Sequence, residues 1–440
     1  MRYALKLSCL PLCVVLGAAL LALPADPAAA GVSPPITDIA TGAVVLYPSY
    51  VTEYDGLLYF RGALAADGSV TGLWRTDGTT AERIAGIGPG GAASDPSYLA
   101  VHGGTLYFCG TATSGGASRL WQYDTVSGAA LAPGSAAQAS LPQDMVSYGG
   151  NLYYRAAHFN TPNTGIELWK FDGANQTVMD IFAGTGSSYP QHFIEYQSLL
   201  YFNACGTPGQ GSELWRTNGT SWAEAARIYP NNGSSPENFA IYNDVLYFSA
   251  YDGVRGRELW KFGGSAASLA TDIVSGGQYS SSNPNNPAVY GDKLYFSATD
   301  DVHGYELWSF DGTTARMVVE INPTPDPGDG DTFLMDSSPG DLTVFDGLLY
   351  FSANDGVHGR ELWSFDGATA QMVADINLGK YGSEVSELTV YNGKLYFSAD
   401  DGYTPGLRGL EPKVFMLPEP ASLCLLTLGG LGLLARRRGR

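Results

Sequence analysis

The chain has 440 residues, among them 56 glycines and 27 tyrosines, and only 15% are charged. With 24 basic against 43 acidic residues the net charge is −19, which excludes nucleic acid as a partner because phosphate binding needs clustered cations. Of five cysteines only Cys109 and Cys205 lie between the two termini, so no disulfide framework organises the chain and both are expected as free thiols.

At the start, Arg2 and Lys6 precede an apolar run from Leu7 to Leu23, followed by small residues with Ala28 and Ala30 placed as a cleavage site. This pattern is a secretory signal over residues 1–30. A membrane anchor is the plainer alternative, but Pro11, Gly17 and Pro24 break the run.

From there to about residue 416 one unit is written repeatedly. Leu-Tyr-Phe or a close variant recurs around Tyr59, Tyr107, Tyr153, Tyr201, Tyr247, Tyr295, Tyr350 and Tyr396, at intervals of 46 to 55 residues. A Leu-Trp pair follows the first seven, ending at Trp74, Trp121, Trp169, Trp215, Trp260, Trp308 and Trp363. A fixed period of this length signals a repeat architecture. In the seventh copy the segments Leu342 to Phe345, Leu349 to Ala353, Glu361 to Phe365 and Gln371 to Ile376 read as four strands. Asp346-Gly347 and Asp366-Gly367 between them favour tight type I′ hairpins.

The strands are apolar at nearly every position, so both faces of each meander must be covered. Sheets stacked around an axis achieve this, and the expected fold is an all-β propeller of four-stranded blades, eight in number with seven as the alternative. The eighth copy stops after Val414-Phe415, while Ile36 to Ile39 resembles a fourth strand lying before any first strand. Pairing this N-terminal strand with the last blade is expected to close the ring and remove two sheet edges.

Glu-Leu-Trp-x-x-Asp-Gly, clearest at Glu306 to Thr313 and Glu361 to Gly367, resembles the ELWxxDGT repeat proteins of bacteria. The resemblance spans about Ile36 to Phe415 and implies no activity.

Four features could carry chemistry. Glu167, Glu213, Glu258, Glu306 and Glu361 stand one per repeat, each two residues after a glycine. A group repeated identically around a ring is expected to cap turns or accept backbone hydrogen bonds, because a catalytic constellation needs distinct roles. His303 and His358 occupy equivalent loops and lack a third soft ligand, which makes them plain loop residues. The longest insertion, Asn322 to Asp341, carries Asp326, Asp329 and Asp331. Such carboxylates on a Gly-rich loop suit Ca²⁺, although the spacing is not that of an EF-hand and a solvated acidic loop is the plainer reading. Finally, the longer loops should gather on one face of the ring, bringing Tyr189, His192, Tyr279, Tyr381 and Tyr403 together in a mixture suited to sugars or peptides.

The tail, residues 417–440, has three parts in order: Pro418-Glu419-Pro420, an apolar run from Ala421 to Ala435, and the arginines Arg436, Arg437 and Arg438 with Arg440. It resembles the PEP-CTERM sorting signal, which implies an exosortase-type membrane peptidase as partner and a transient inner-membrane stage. The sequence thus reads as an exported protein of the cell surface or extracellular matrix whose residues 31–416 form a binding or structural module for an extracellular polysaccharide or surface protein. Repetition where an enzyme would need unlike acids points away from catalysis. A propeller enzyme acting on extracellular polysaccharide is the alternative.

Overall fold

A strand sends alternate side chains to opposite faces, so Leu-Tyr-Phe-Ser-Ala presents leucine, phenylalanine and alanine on different sides from tyrosine. The computed structural model describes residues 37–38, 45–64, 71–84, 95–112, 116–134, 140–158, 163–323, 336–402 and 411–415, and among these every regular element is a β-strand. The strands form a β-propeller with seven four-stranded blades, covering 45–83, 97–131, 140–179, 191–226, 237–271, 285–319 and 340–374. Each blade is an antiparallel meander in sequence order. The first strands of successive blades lie against one another and line the channel, which puts the fourth strands at the rim.

Both faces of every second strand are buried, as the alternation requires. Leu349, Phe351 and Ala353 of blade seven pack on Tyr295 and Leu307 of blade six. Tyr350 and Leu362 turn the other way, onto Leu395, Phe397 and Ala399. The same division of labour repeats around the ring. Fully burying one such side chain stabilises by roughly 1.5 to 3 kcal/mol, so each interface holds on several residues at once.

Ring closure differs from the sequence expectation. After blade seven comes a three-stranded sheet, Ser386–Tyr391, Lys394–Ala399 and Glu411–Phe415, and the strand Thr37–Asp38 does not complete it. That strand instead runs parallel to the outer strand of blade one, with Thr37 opposite Thr80 and Asp38 opposite Ala81. Eight four-stranded blades are therefore not formed, and seven is the number of complete ones. Proline supplies a physical reason. In blades one and two the third-strand residues Leu73 and Leu120 turn their backbone toward the rim, accepting the N–H of Ile84 and of Ala132 at 2.8 and 3.0 Å. Pro412 occupies that register position in the last sheet, opposite Ser398, and has no N–H to offer a fourth strand. Closure rests on packing instead, with Tyr391 and Tyr396 against Leu58, Phe60 and Trp74 of blade one. The Tyr391 hydroxyl also donates to the carbonyl of Gly56, as Tyr196 does to Asp244 at 2.8 Å between blades four and five.

The two kinds of Asp-Gly turn also part company. Between first and second strands, Asp346 and Gly347 both have positive φ, 44° and 78°, as a type I′ hairpin demands. Between third and fourth strands only Gly367 is left-handed, at 99°. There the turn is longer and Asp366 Oδ1 accepts the N–H groups of Ala368 and Thr369 at 2.8 and 2.7 Å. An aspartate that caps a turn with its side chain does not need positive φ.

Candidate binding site at the channel mouth

Every first strand carries a bulge close to its head. The register with the second strand slips there, for example between Gly340 and Thr343 in blade seven and between Asn285 and Ala288 in blade six. The bulged residue has positive φ and is never glycine: Tyr50, Tyr98, Asp144, His192, Asn238, Asn286, Asp341 and Glu387 lie between 50° and 58°. Non-glycine residues rarely adopt this conformation, and bulges characteristically re-aim a side chain. At this one level of the inner wall, then, the repeat places eight backbones alike and side chains that are mostly unlike.

These side chains reach their neighbours. The rings of Tyr50 and Tyr98 are 5.0 Å apart, and Asp144 is 3.4 Å from the guanidinium of Arg155. Asn238 Nδ2 donates to the carbonyl of Pro284 at 3.3 Å. Burial pushes the carboxyl pKa values of Asp341 and Glu387 up. Hydrogen bonds oppose that shift, from the N–H of Glu387 to Asp341 and from the N–H groups of Val51 and Tyr50 to Glu387.

Beside Asp341 the wall opens into a cavity of about 580 Å³ shared by blades six and seven and the three-stranded sheet, with Asn286, Tyr305, Asp341, Arg360 and Glu384 around it. Arg360 is its one cation. Nη1 donates to Ser352 Oγ at 2.8 Å and lies 3.4 Å from the Ser352 carbonyl, and Nη2 donates to the carbonyl of Ser338 at 2.8 Å. Burial lowers its pKa, with Glu384 and Asp341 opposing. Blade five shows what opens the cavity: there Arg257 stands where Arg360 stands and meets Glu237 at 3.1 Å. In blade seven the position of Glu237 is Gly340, and Arg360 makes no ion pair among the described residues.

The repeated glutamates have a different task. Glu167, Glu258, Glu306 and Glu361 are completely buried and Glu213 nearly so. Each accepts a backbone N–H where its own fourth strand ends and a serine hydroxyl from the lead-in to the next blade. For Glu361 these are the N–H of Ile376 at 2.9 Å and Ser383 Oγ at 2.6 Å. For Glu167 they are the N–H of Ile181 at 2.9 Å and Ser188 Oγ at 2.6 Å. Desolvation raises the pKa of Glu167, Glu258, Glu306 and Glu361 to about 7 against these hydrogen bonds. They are staples between blades, as backbone acceptors were expected to be, and each is occupied by protein donors.

Of the other residues singled out from sequence, His303 and His358 point back to Asp300 and Asp355 of their own loops at 2.8 and 2.7 Å. Arg255 makes the same contact with Asp252 in blade five. The two histidines are held apart in separate loops, and among the described residues no group of three or more His, Cys, Asp or Glu is placed to hold a metal ion. Asp326, Asp329 and Asp331 lie outside the described residues, as do Tyr403, Ala28, Ala30, Pro418, Glu419, Pro420 and Arg436 to Arg438. Tyr189, Tyr279 and Tyr381 are exposed on loops, whereas His192 belongs to the bulge series. Cys109 and Cys205 are free, and burial raises the Cys109 thiol to about 11.

Arg360 escaped the sequence reading, and of the bulge series only His192 and Asp341 were named, as members of loops, although a signal for the whole series was present. Each bulged residue stands nine positions before the repeated tyrosine in all eight copies, from Tyr50 before Tyr59 to Glu387 before Tyr396.

One known family matches the sequence, the PEP-CTERM protein-sorting motif, over residues 417–438. No curated protein matches. The ELWxxDGT resemblance therefore stands on the repeated residues alone. Among solved structures, one from a study of two prolyl endopeptidases is similar at 12% identity, covering 81% of this chain and 55% of its own, with a TM-score of 0.48. A puromycin-hydrolyzing peptidase of Mycobacterium tuberculosis is similar at 13%, covering 84% and 61%, with a TM-score of 0.45. A GH74 enzyme of Niastella koreensis is similar at 14%, covering 82% and 58%, with a TM-score of 0.42. The chain thus spans little more than half the length of these structures. The expectation that the chain is not an enzyme is not upheld: the similar structures are of peptidases and a GH74 enzyme. No helix of the described residues is long and apolar enough to cross a membrane. The sorting motif marks an exported protein, processed by a membrane-bound exosortase on its way to the cell envelope or surface.

Proposed function

We propose that the chain is a cell-surface or extracellular-matrix protein, exported by its first 30 residues, whose propeller binds a partner at the channel mouth. The observation behind this reading is the contrast between two repeated positions. The buried glutamates keep one residue type in five blades because they perform one structural task. The bulge position, with an equally regular backbone, holds five residue types and borders a cavity on the face where the interblade loops emerge. Structural need alone asks for repetition, while recognition of an asymmetric ligand asks for variety on a rigid frame. A glycan and protein binding array probed with the exported protein tests the reading. Binding that is lost on substitution of Asn286 or Asp341 supports it, and binding indifferent to every bulge residue overturns it.

A second reading, hydrolysis of an extracellular polysaccharide, draws on the raised carboxyl pKa values of Asp341 and Glu387 on the same inner wall. Burial that favours the neutral carboxyl is the direction a general acid needs. Release of new reducing ends from a polysaccharide that Asp341→Asn no longer cleaves is the outcome that would favour it.

A further inference from the structure

We propose that the cavity beside Arg360 takes an uncharged sugar unit of a polysaccharide chain. This rests on the reading of the channel mouth as the binding face, and it gives that face a ligand class.

The lining is the first argument. Arg360, Asp341, Asn286 and Glu384 are planar groups that donate or accept in pairs, and Tyr305 adds a ring. Vicinal sugar hydroxyls each donate and accept, so they satisfy such a mixture without leaving a buried partner empty. Arg360 has five N–H donors, and the three acceptors around it leave two for a ligand. A volume of about 580 Å³ lies within the usual range of small-ligand sites.

Charge is the second argument. Asp341 and Glu384 stand beside Arg360, Glu387 follows on the same wall, and the whole chain carries −19. One guanidinium among three carboxylates does not attract a polyanion. The third argument concerns proteins as occupants. Their interfaces are anchored by buried apolar or aromatic side chains, and this cavity offers only Pro339 and Val385 besides Tyr305.

Gly340 is what keeps the space open. A Cβ added there would lie 3.1 Å from Ser352 Oγ and 3.6 Å from Arg360 Nη1. Gly340→Glu therefore copies the Glu237–Arg257 pair of blade five, an arrangement this fold already accommodates, and fills the site.

The test titrates the exported protein with neutral glucan, galactan and mannan oligosaccharides by calorimetry. Expected is binding to at least one of them, weakened at least about tenfold by both Gly340→Glu and Asn286→Ala, about 1.4 kcal/mol in affinity, with the melting temperature of Gly340→Glu held. Arg360→Ala should weaken it too, but it also removes the bonds to Ser338 and Ser352, so Gly340→Glu is the decisive variant. Neutral-sugar binding unaffected by Gly340→Glu overturns the site. Failure to bind any neutral oligosaccharide at millimolar concentration overturns the ligand class. If an acidic glycan or a lysine-rich peptide binds instead and Gly340→Glu abolishes that, the sugar assignment falls while the channel-mouth reading stands.

Discussion

Blades three to seven and blades one and two solve the same packing problem with different bonds. From blade three onward a buried glutamate ties the end of each blade to the entry of the next. In blades one and two that register position holds Gly72 and Arg119. The indole groups divide almost along the same line. Trp74, Trp121 and Trp169 donate Nε1 to the carbonyls of Gly62, Gly110 and Ala156 at 3.0 to 3.2 Å. Trp215, Trp260, Trp308 and Trp363 have buried Nε1 atoms with no acceptor among the described residues. The early blades are thus held within themselves by their tryptophans, and the later ones to each other by their glutamates. Blade three has both devices. The difference teaches that the apolar Leu-Tyr-Phe repeat sets the architecture, while the polar bond that locks each seam can be exchanged.

Breaking a staple should have the largest effect. Glu361→Ala leaves the N–H groups of Ile376 and Asn377 without their acceptor, while the Ser383 hydroxyl keeps the carbonyl of Arg360. It is expected to cost about 2 to 4 kcal/mol, since each buried donor left unsatisfied costs roughly 1 to 3 kcal/mol. Arg119→Ala, at the same position in blade two, should stay within about 0.5 kcal/mol. Urea unfolding midpoints compare the two, and equal losses would show that the seams do not differ in kind.

The tryptophans sharpen the comparison from the other side. Trp74→Phe and Trp308→Phe remove similar volume, but only the first leaves a carbonyl, that of Gly62, without its donor. Trp74→Phe should therefore cost about 1 kcal/mol more than Trp308→Phe. A larger loss at Trp308, read from the same unfolding curves, would place a hidden acceptor in the later blades.

Much of this was legible because burial of both strand faces leaves a mark in every copy. The period, the all-β class and the structural nature of Glu167 to Glu361 followed from residues that repeat. What repeats in sequence can still differ in structure: Asp346-Gly347 and Asp366-Gly367 are the same dipeptide, and only the side-chain cap on Ala368 and Thr369 separates the turns. Ring closure was misassigned because Ile36 to Ile39 carries the fourth-strand pattern, while the deciding feature is one missing N–H at Pro412. The channel wall was overlooked for the opposite reason. Its residues vary in type and keep only their distance from the tyrosine, so a search for recurring letters passes over Asn286, Asp341 and Glu387.

The smallest expected effect concerns the protonation of the staples. Ser383 Oγ lies 2.6 Å from Glu361 Oε2 and 3.2 Å from the carbonyl of Arg360, and Ser337 Oγ lies 2.6 Å from Glu306 Oε2 and 3.0 Å from the carbonyl of Tyr305. A hydroxyl has one hydrogen for two acceptors. A neutral glutamate resolves this by donating its own O–H to the serine, whose hydrogen then goes to the carbonyl. Desolvation agrees, raising these carboxyls from an ordinary 4.5 to about 7. The sign of the pH effect follows: between pH 4.5 and 7 the unfolded chain has released protons that the folded one still holds, so stability falls as pH rises through that window and levels off above it. His303 and His358, raised by Asp300 and Asp355, lose stability in the same direction as pH climbs past their folded pKa values. A change in the staple separates the contributions. Glu361→Gln cannot ionise, but Ser383 Oγ and the N–H of Ile376 meet the same atom, Oε2, so the amide oxygen placed there accepts from Ile376 and can no longer donate to the serine; at pH 5 its melting temperature should lie slightly below that of the parent. Toward pH 8 it should fall less steeply, by the share of one staple among five. Parallel melting curves across that range would mean that Glu361 is already ionised in the fold, and that the seam is locked by a charge.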